Sequence, residues 1–453
     1  MKSVSVFSIL FFVMSCVSNP KNKEANQVRL ITLDPGHFHA ALVQKSMYDN
    51  VDSIVHVYAP EGNDVGLHLN RIDGFNTRAE NPTHWKEEVY YGPDFFEKML
   101  AEKAGNVVVL SGNNLKKAEY VWKSLAAGFN VLADKPMIIG SKDFDLLKES
   151  FARAKENNLL LYDIMTERYE ITTMLQKEFS MLSEIFGTLE NGTPDNPAVT
   201  KESVHHFYKY VSGSILQRPA WFMDSRQQGE GIADVTTHLV DLVQWECFPD
   251  QLLDYTKDIE ITKASHSITA MTLHEFKAIT GLESFPDYLK KDVIHDTVLN
   301  IYSNGEINYK LKNVHAKVSV IWNYKAPEGA GDTHYSIMRG TKSNLIIRQG
   351  AEQQYKPTLY IESADEATIE NALQEGLKTI QAKYPGIEIK KISKGWEVII
   401  PDSYKEGHEA HFGRVTEKFL EYLQNKNMPD WEVPNMIAKY YTTTKALELV
   451  NQK

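Results

Sequence analysis

A lysine closes an apolar run in the stretch Ala126-Ala127-Gly128-Phe129-Asn130-Val131-Leu132-Ala133-Asp134-Lys135-Pro136. Pro136 fixes its own φ and biases the residue before it toward an extended backbone, so the side chain of Lys135 is aimed in one direction. One interpretation is an exposed lysine in a strand-to-loop turn. The other is a cationic group that takes part in chemistry, and the choice depends on where the stretch lies in the fold.

The residues around this stretch predict a strand-helix-strand unit. Residues 106–110 are apolar and predict a strand, residues 115–127 predict a helix, and residues 130–132 predict the next strand. Such units form parallel sheets, in which ligands bind beyond the carboxyl ends of the strands. We therefore expect Asp134 and Lys135 to reach a ligand crevice.

The alternation of strands and helices extends over residues 28–165 and predicts a Rossmann-like nucleotide-binding domain with a doubly wound parallel sheet. Within it, residues 60–93 break the pattern and predict a long polar insertion, which is often a functional lid. The other elements of this domain are expected as strands at 28–33, 53–58 and 159–162 and as helices at 39–47 and 142–156.

The sequence pattern changes after this domain, because apolar and polar residues begin to alternate. Residues 166–453 predict an α+β substrate domain with an open, largely antiparallel sheet and closing helices, so the fold class is α/β with a second, α+β domain. Strands are expected at 292–302, 306–312, 317–324 and 334–338, and later helices at 366–383, 412–424 and 435–449.

The composition is that of an ordinary globular protein, since 42% of the residues are hydrophobic and 24% are charged. The formal net charge of −11 argues against nucleic acid or an anionic membrane surface as a main partner, because both require clustered cations. We therefore expect no nucleic-acid partner.

Residues 1–16 resemble a bacterial lipoprotein signal peptide, with a positive start, an apolar core and a cleavage region that ends at Cys16. Cleavage before Cys16 and lipidation of it leave residues 17–27 as a tether. They also place the protein at the cell envelope, facing the periplasm or the cell surface, with a lipid anchor as its only membrane contact. The alternative is an ordinary secretory signal with an accidental cysteine. Once Cys16 is lipidated, Cys247 has no partner cysteine in the chain, so no intrachain disulfide is expected.

Asp234, His238 and Asp241 recur at helical spacing in the segment G-E-G-I-A-D-V-T-T-H-L-V-D at 229–241. Positions i, i+4 and i+7 share one helix face, so Asp234 and His238 are expected to lie within side-chain reach of each other. A carboxylate beside an imidazole raises its basicity and fixes its tautomer, which suits a general acid or base near neutral pH. The alternative is a polar helix face with a buried, hydrogen-bonded histidine.

Three blocks of the sequence resemble the Gfo/Idh/MocA family, that of glucose-fructose oxidoreductase and inositol dehydrogenase. They are A-G-F-N-V-L-A-D-K-P at 127–136, R-Y at 168–169 and the segment at 229–241, and their order and spacing match the family from about residue 28 to residue 340. The resemblance implies a nucleotide-binding domain followed by an open-faced sheet domain, with a sugar or polyol oxidised or reduced at their junction. It also implies a homodimer or tetramer.

The resemblance assigns catalysis to Lys135, Asp234 and His238. Lys135 matches the family's lysine between nicotinamide and substrate, Asp234 matches its substrate-binding aspartate, and His238 matches its proton-transferring histidine. The implied cofactor is NAD or NADP, which has to be tightly bound outside the cytoplasm, and this favours net non-redox chemistry by transient oxidation followed by elimination or hydrolysis. The remaining substrate-binding residues implied by the family blocks are Arg168, Tyr169 and Asp241.

The loop after the first strand departs from the family pattern. The family has G-x-G-x-x-G where this chain has D-P-G-H-F-H at 34–39, and only the middle glycine, Gly36, is kept. A carboxylate at Asp34 repels a pyrophosphate unless it is turned away or neutralised. Glu61 is the only acidic substitute near the usual ribose-binding position. The residues that the resemblance places at the cofactor are Asp34, Gly36, His37, Phe38, His39, Glu61, Ser111, Asn113, Asp134 and Lys135.

Asp34, His37 and His39 are also residue types that bind Zn²⁺ or Mn²⁺. A second hypothesis therefore keeps the fold without the dinucleotide and predicts a metal-dependent sugar lyase or hydrolase. The alternative for the histidines is hydrogen bonding to a phosphate or to backbone at a helix N-terminus. A third hypothesis is a carbohydrate-binding surface lipoprotein without turnover. Further polar candidates near the cleft are His205, His206, His408 and His411.

Overall fold

The computed structural model describes residues 27–211, 214–328 and 330–452. The signal segment and Cys16, and with them the predicted lipid anchor, lie outside the described residues. Within the described ranges, no helix combines the length and the hydrophobicity that a membrane-spanning segment requires.

The first half of the described chain contains a parallel sheet with the strand order β3-β2-β1-β4-β5-β6. All of its neighbouring strands pair in parallel, which confirms the predicted Rossmann-like fold. Its strands are β1 (Leu30–Leu33), β2 (Ile54–Ala59), β3 (Lys86–Tyr91), β4 (Val107–Leu110), β5 (Asn130–Asp134) and β6 (Leu161–Ile164).

Residues 60–93 form regular structure, so the predicted polar insertion is wrong. They contain a fifteen-residue helix and the edge strand β3. The helix buries only Val65, His68 and Ile72, and β3 has no fully buried residue, so neither element shows a strong hydrophobic period. The helices of this half are α1 (His39–Leu42), α2 (Asn63–Thr77), α3 (Phe95–Glu102), α4 (Lys117–Ala126) and α5 (Phe144–Glu156).

The second half of the described chain contains a mixed sheet with the order β10-β12-β13-β7-β14-β15-β16-β18-β17, and β11 pairs with β12. Only β7 and β13 pair in parallel, so the expected, largely antiparallel sheet is confirmed. The strands predicted at 292–302 and 306–312 are mostly one long strand, β12. The strands are β7 (Val199–Tyr208), β8 (Tyr210–Val211), β9 (Ser214–Ile215), β10 (Ile259–Thr272), β11 (Val293–Ile294), β12 (Val298–Leu311), β13 (Val314–Lys325), β14 (Thr333–Arg339), β15 (Asn344–Arg348), β16 (Thr358–Glu362), β17 (Glu388–Lys391) and β18 (Trp396–Ile399).

The last two helices of the chain return to the first half. Phe412 and Phe419 of the first of them pack into the core of the parallel sheet, and the final helix adds Tyr440 to that core and Leu447 to the core of the mixed sheet. The predicted boundary between two domains, at residues 165 and 166, stays a prediction, because both cores use residues of these last helices. The helices are α6 (Ile171–Ser180), α7 (Thr236–Cys247), α8 (Leu273–Thr280), α9 (Glu366–Lys383), α10 (His408–Asn425) and α11 (Glu432–Asn451).

Candidate active site

A cavity of about 1200 Å³ lies where the carboxyl ends of the parallel strands meet the mixed sheet. Its wall is formed by the loop after β1, the residue after β5, strand β7, the first turn of α7 and the first turn of α10. A volume of this size accommodates a sugar derivative or a short glycoside. The polar residues discussed below that line it are His37, His39, Lys135, Glu167, His205, Lys209, Arg218, Gln228, Asp234, His238, Asp332, His408 and His411.

Lys135 and Asp234 meet in the wall of the cavity. The Nζ atom of Lys135 lies 2.6 Å from Oδ1 of Asp234, and the two side chains are only 11% and 6% exposed. The other carboxylate oxygen of Asp234 accepts a hydrogen bond of 3.0 Å from Gln228. The pair therefore joins the end of β5 to the turn before α7, and both predicted residues lie at the cavity.

His238 lines the same cavity on the first turn of α7. Burial lowers its pKa well below 6.5, and the Lys135 ammonium lowers it further, so the imidazole is neutral at pH 7. Among the described residues, none is hydrogen-bonded to its buried Nδ1 atom. The expected contact between Asp234 and His238 is not formed, because α7 begins only at Thr236 and the carboxylate of Asp234 turns to Lys135 and Gln228.

The histidines of the loop after β1 gather around Asp134. Oδ2 of Asp134 lies 2.9 Å from Nδ1 of His39 and 3.6 Å from Nδ1 of His37. Ser111 donates a hydrogen bond of 2.9 Å to the same oxygen. Burial lowers the pKa values of both histidines well below 6.5, so both imidazoles are neutral near pH 7.

Asp34 does not join this cluster, so the metal-ligand set predicted from the sequence needs correction. Its backbone has a φ of 48°, and its carboxylate accepts a hydrogen bond of 3.4 Å from Tyr120. Burial and the nearby carboxylate of Asp64 raise the pKa of Asp34 to about 6. The group of ligand types that the structure brings together is His37, His39 and Asp134.

The crevice where the family pattern places a dinucleotide is filled by protein. The amides of Gly36 and His37, which would face a pyrophosphate, both donate to the carbonyl oxygen of Ser111, at 3.3 and 3.2 Å. The indole of Trp221 lies against Gly36 so closely that a Cβ atom there would be 2.9 Å from its Cζ2 atom. The indole N–H donates to Asp64 at 2.8 Å, which places a second carboxylate beside the loop.

The neighbouring loop after β4 is closed in the same way. The side-chain amide of Asn113 donates to Gln227 at 2.7 Å, and that of Asn114 donates to the carbonyl oxygen of Gln228 at 2.7 Å. Glu61, the proposed ribose-binding residue, is exposed. The half-buried carboxylates of Asp34 and Asp64, the engaged amides and the filled crevice do not fit a dinucleotide in this arrangement, although Phe38 and Lys135 do line the cavity.

Arg168, Tyr169 and Asp241 do not line the cavity, which corrects their assignment to substrate binding. Nε and Nη2 of Arg168 donate to the two carboxylate oxygens of Asp241 at 2.6 and 2.7 Å, and Nη1 donates to Glu432 at 3.0 Å. Lys439 contacts Asp241 at 2.9 Å from the other side. These buried charges hold α7 against α11, and Tyr169 packs on the first core, so the R-Y block is structural here.

The cavity also contains polar residues that the sequence patterns did not single out. Arg218 is buried there, stacked 4.3 Å from the ring centroid of Phe222, and burial lowers its pKa to about 10. Burial, with a contribution from Glu170, raises the pKa of Glu167 to about 7. Neither residue lies in a local sequence motif. They line one cavity because the two halves of the molecule pack against each other. Of the further candidates, His205, His408 and His411 line the cavity, whereas His206 lies behind it.

A doubly wound parallel sheet, an open mixed sheet and a polar cavity between them are the fold of an oxidoreductase of the Gfo/Idh/MocA type. The particular family follows from the sequence. Residues 175–451 match the family described as "Putative oxidoreductase C terminal domain". Because the match spans more than half of the chain, the chain belongs to this oxidoreductase family. A comparison with curated proteins gave no match.

Solved structures support the same assignment. A "putative oxidoreductase" from Parabacteroides merdae is 58% identical over 94% of this chain and 98% of its own, with a TM-score of 0.92. The 3-ketoreductase KijD10 from Actinomadura kijaniata, in complex with NADP and TDP-benzene, is 12% identical over 94% and 98%, with a TM-score of 0.55. Levoglucosan dehydrogenase, in complex with NADH and levoglucosan, is 10% identical over 94% and 98%, with a TM-score of 0.58. The predicted Gfo/Idh/MocA-type fold is confirmed.

Proposed function

We propose that this enzyme catalyses an elimination or hydrolysis on a sugar that already carries a carbonyl group. The observation that carries the proposal is the ion pair of Lys135 and Asp234 in a cavity that the neutral His238 also lines. The crevice beside it is filled by Trp221 and does not fit a dinucleotide, so we expect the substrate to bring the carbonyl group with it.

Proton transfer by the residues of the cavity is sufficient for such a reaction. His238 takes the proton from the carbon next to the carbonyl group, and the Lys135 ammonium stabilises the negative charge that develops on the carbonyl oxygen. The electron pair of the C–H bond then forms a C=C bond. The bond from the next carbon to the leaving oxygen breaks, and that oxygen takes a proton from an acid of the cavity, which completes the elimination. Glu167, whose pKa is raised to about 7, suits this last role. For net hydrolysis, water then adds across the C=C bond.

The lining of the cavity favours a hydroxyl-rich ligand. Trp322 lines the cavity and stacks on His205, with ring centroids 5.0 Å apart. Asp332 accepts hydrogen bonds from Lys209 at 2.6 Å and from the amide of His206 at 3.0 Å. An aromatic surface beside fixed donors and acceptors is the usual composition of a site for small polar ligands.

The test uses a 4-nitrophenyl glycoside and the same compound oxidised to a ketone at C3, which places the acidic C–H bond at C2 and the leaving oxygen on C1. The purified full-length enzyme is expected to release 4-nitrophenol from the oxidised compound without added NAD or NADP. Lys135→Met and His238→Ala are expected to slow the release by about 100-fold or more. Release from the parent glycoside only after addition of NAD or NADP would overturn the proposal.

A second candidate is a nicotinamide-dependent sugar oxidoreductase, favoured by the fold that this chain shares with NADP- and NADH-bound enzymes. It requires Trp221 to leave the crevice. Titration calorimetry with NAD and NADP separates the two candidates. Binding of either dinucleotide by the wild-type protein supports this candidate, and binding only by Trp221→Ala shows that the indole closes the crevice.

We also propose, from the signal at residues 1–16, that a lipid on Cys16 holds the enzyme at the envelope. Labelled palmitate is expected to enter the wild-type protein in its own cell. The same labelling of Cys16→Ala would contradict this anchor.

A further inference from the structure

We propose that His37, His39 and Asp134 bind one divalent transition-metal ion in the wall of the cavity. The ligand atoms of the three residues all lie within 4.8 Å of one another. This set differs from the one suggested by the sequence, because Asp134 takes the place of Asp34. It joins the loop after β1 to the end of β5, 95 residues further along the chain.

The spacing of the ligand atoms matches that of a metal site. Bonds of 2.0–2.2 Å at tetrahedral angles place two ligand atoms about 3.3–3.6 Å apart. Oδ2 of Asp134 lies 2.9 Å from Nδ1 of His39, below that range, and 3.6 Å from Nδ1 of His37, at its upper end. All three ligand atoms lie within 4.8 Å of one another, so shifts of about 1 Å or less bring them into position.

The donor set selects the kind of metal. Two imidazoles and one carboxylate suit Zn²⁺ and other first-row transition ions, whereas Mg²⁺ and Ca²⁺ prefer sites made of oxygen atoms alone. Three protein ligands also leave at least one position for water or substrate, as in catalytic rather than structural zinc sites. His37 and His39 line the cavity, so that position can be reached by a bound sugar.

The surroundings hold the three ligands in place. Ser111 donates to Oδ2 of Asp134, and the buried Lys117 donates to the backbone carbonyl of Asp134, both at 2.9 Å. The ring of His39 packs on that of Phe412, with centroids 4.4 Å apart. Outer-shell contacts of this kind orient metal ligands and raise their affinity.

Three other contacts bear on a bound cation. The amide of His39 makes a long hydrogen bond of 3.4 Å to Nδ1 of His37, which a metal bond would replace. Lys135 is a nearby cation, but Asp234 neutralises it. Arg218 also lies near His37, stacked on Phe222, and it lowers the affinity without closing the site.

The inferred ion adds a Lewis acid to the reaction, and in this respect it rests on the proposed function. It would polarise the carbonyl oxygen of the sugar and so acidify the neighbouring C–H bond. Metal binding itself does not depend on the identity of the substrate. The two proposals can therefore fail separately.

The test is titration of the metal-free full-length protein with Zn²⁺ by calorimetry and with Co²⁺ by visible absorption. One equivalent of each ion is expected to bind. His39→Ala and Asp134→Asn are expected to weaken Zn²⁺ binding by at least about 10-fold. His408→Ala, which removes a cavity histidine beside His39, and Asp34→Asn, which removes the ligand suggested by the sequence, are the matched controls and are expected to leave it unchanged.

Failure of the wild-type protein to bind Zn²⁺ or Co²⁺ overturns the inference, and this result does not depend on whether any variant folds. Equal loss of binding in Asp34→Asn and Asp134→Asn also overturns the assigned ligands. Turnover that persists after removal of all metal refutes the Lewis-acid role alone. Metal binding by a protein without turnover on the oxidised glycoside refutes only the proposed function.

Discussion

The Nζ atom of Lys135 lies 2.6 Å from Oδ1 of Asp234, although 99 residues separate them in the chain. The pair is almost fully shielded from water, so each charge depends on the other. It connects the end of a parallel strand to the turn before α7, which is where the two halves of the molecule meet. Substitutions that break this ion pair are therefore expected to change both stability and catalysis.

Removing one member of this pair is expected to destabilise the protein more than removing both charges. Lys135→Met leaves a buried carboxylate whose remaining hydrogen-bond partner among the described residues is Gln228, and we expect a loss of about 3 kcal/mol in the free energy of unfolding. The double variant Lys135→Met, Asp234→Asn is expected to recover part of this loss. Urea denaturation of the wild type and of these variants measures the free energy of unfolding. The exposed pair of Lys123 and Glu119 supplies a control, since Lys123→Met should change stability by about 0.5 kcal/mol or less. Additive effects of Lys135→Met and Asp234→Asn would contradict the pairing.

Arg168 is expected to matter for stability rather than for substrate binding. Arg168→Met leaves Asp241 and Glu432 buried without their bidentate partner and is expected to cost about 3–5 kcal/mol. Arg168→Lys should recover little, because an ammonium group cannot make the same forked contact. Thermal denaturation measures both, with Arg153→Ala on helix α5 as the control. A variant of Arg168 with wild-type stability and weakened sugar binding would support the predicted role of Arg168 in substrate binding.

Glu87 is expected to make the stability of the protein depend on pH. Burial raises the pKa of its carboxyl group from 4.5 to about 7, so the folded state holds the proton more tightly than the unfolded state. The free energy of unfolding therefore falls as the pH rises from about 4.5 to about 7, by up to about 3 kcal/mol. Glu87→Gln should make this decrease smaller, because Asp34 and Glu167 contribute to it over the same pH range, and should exceed the wild type in stability at pH 8. In the control Glu88→Gln, whose side chain is 62% exposed, the decrease should persist. A wild-type stability that is constant between pH 4.5 and 7 would refute the assignment.

Gly36 and Trp221 test whether the dinucleotide crevice is closed in solution. Gly36→Ala puts a Cβ atom 2.9 Å from the indole and is expected to destabilise the protein by about 1–3 kcal/mol. Trp221→Leu in the same chain should relieve the crowding. Gly66→Ala in α2, where a Cβ atom meets nothing within 4 Å, should instead stabilise by about 0.5–1 kcal/mol. If Gly36→Ala melts at the wild-type temperature, the indole does not lie on the loop in solution.

The sequence predicted the elements with strong hydrophobic periods and missed those without one. The strand-helix-strand unit leading to Lys135 and the helix at 366–383 lie where they were expected. Helix α2 and the edge strand β3 were missed, because an edge strand buries too little to show alternation. The helix predicted at 39–47 ends at Leu42, since apolar residues in the following turns mimic a longer helical pattern.

The site was predicted as a set of residues but not as a set of contacts. Lys135, Asp234 and His238 do share one cavity, as the family blocks imply. Spacing along the chain suggested Asp234 beside His238 and Asp34 beside His37, and in both cases a turn directs the carboxylate elsewhere. Trp221 carries no motif, and only the closed structure reveals that it fills the crevice.

Helix α11 contributes Tyr440 to one core and Leu447 to the other, so neither core is complete until the last residues of the chain have been synthesised. During translation the parallel sheet has to wait for a helix whose Glu432 lies 270 residues after Tyr162 of its last strand. The two halves therefore mature together rather than one after the other. A fragment that ends before Glu432 lacks every residue that α11 adds to the two cores, and we expect it to be less stable than the whole chain.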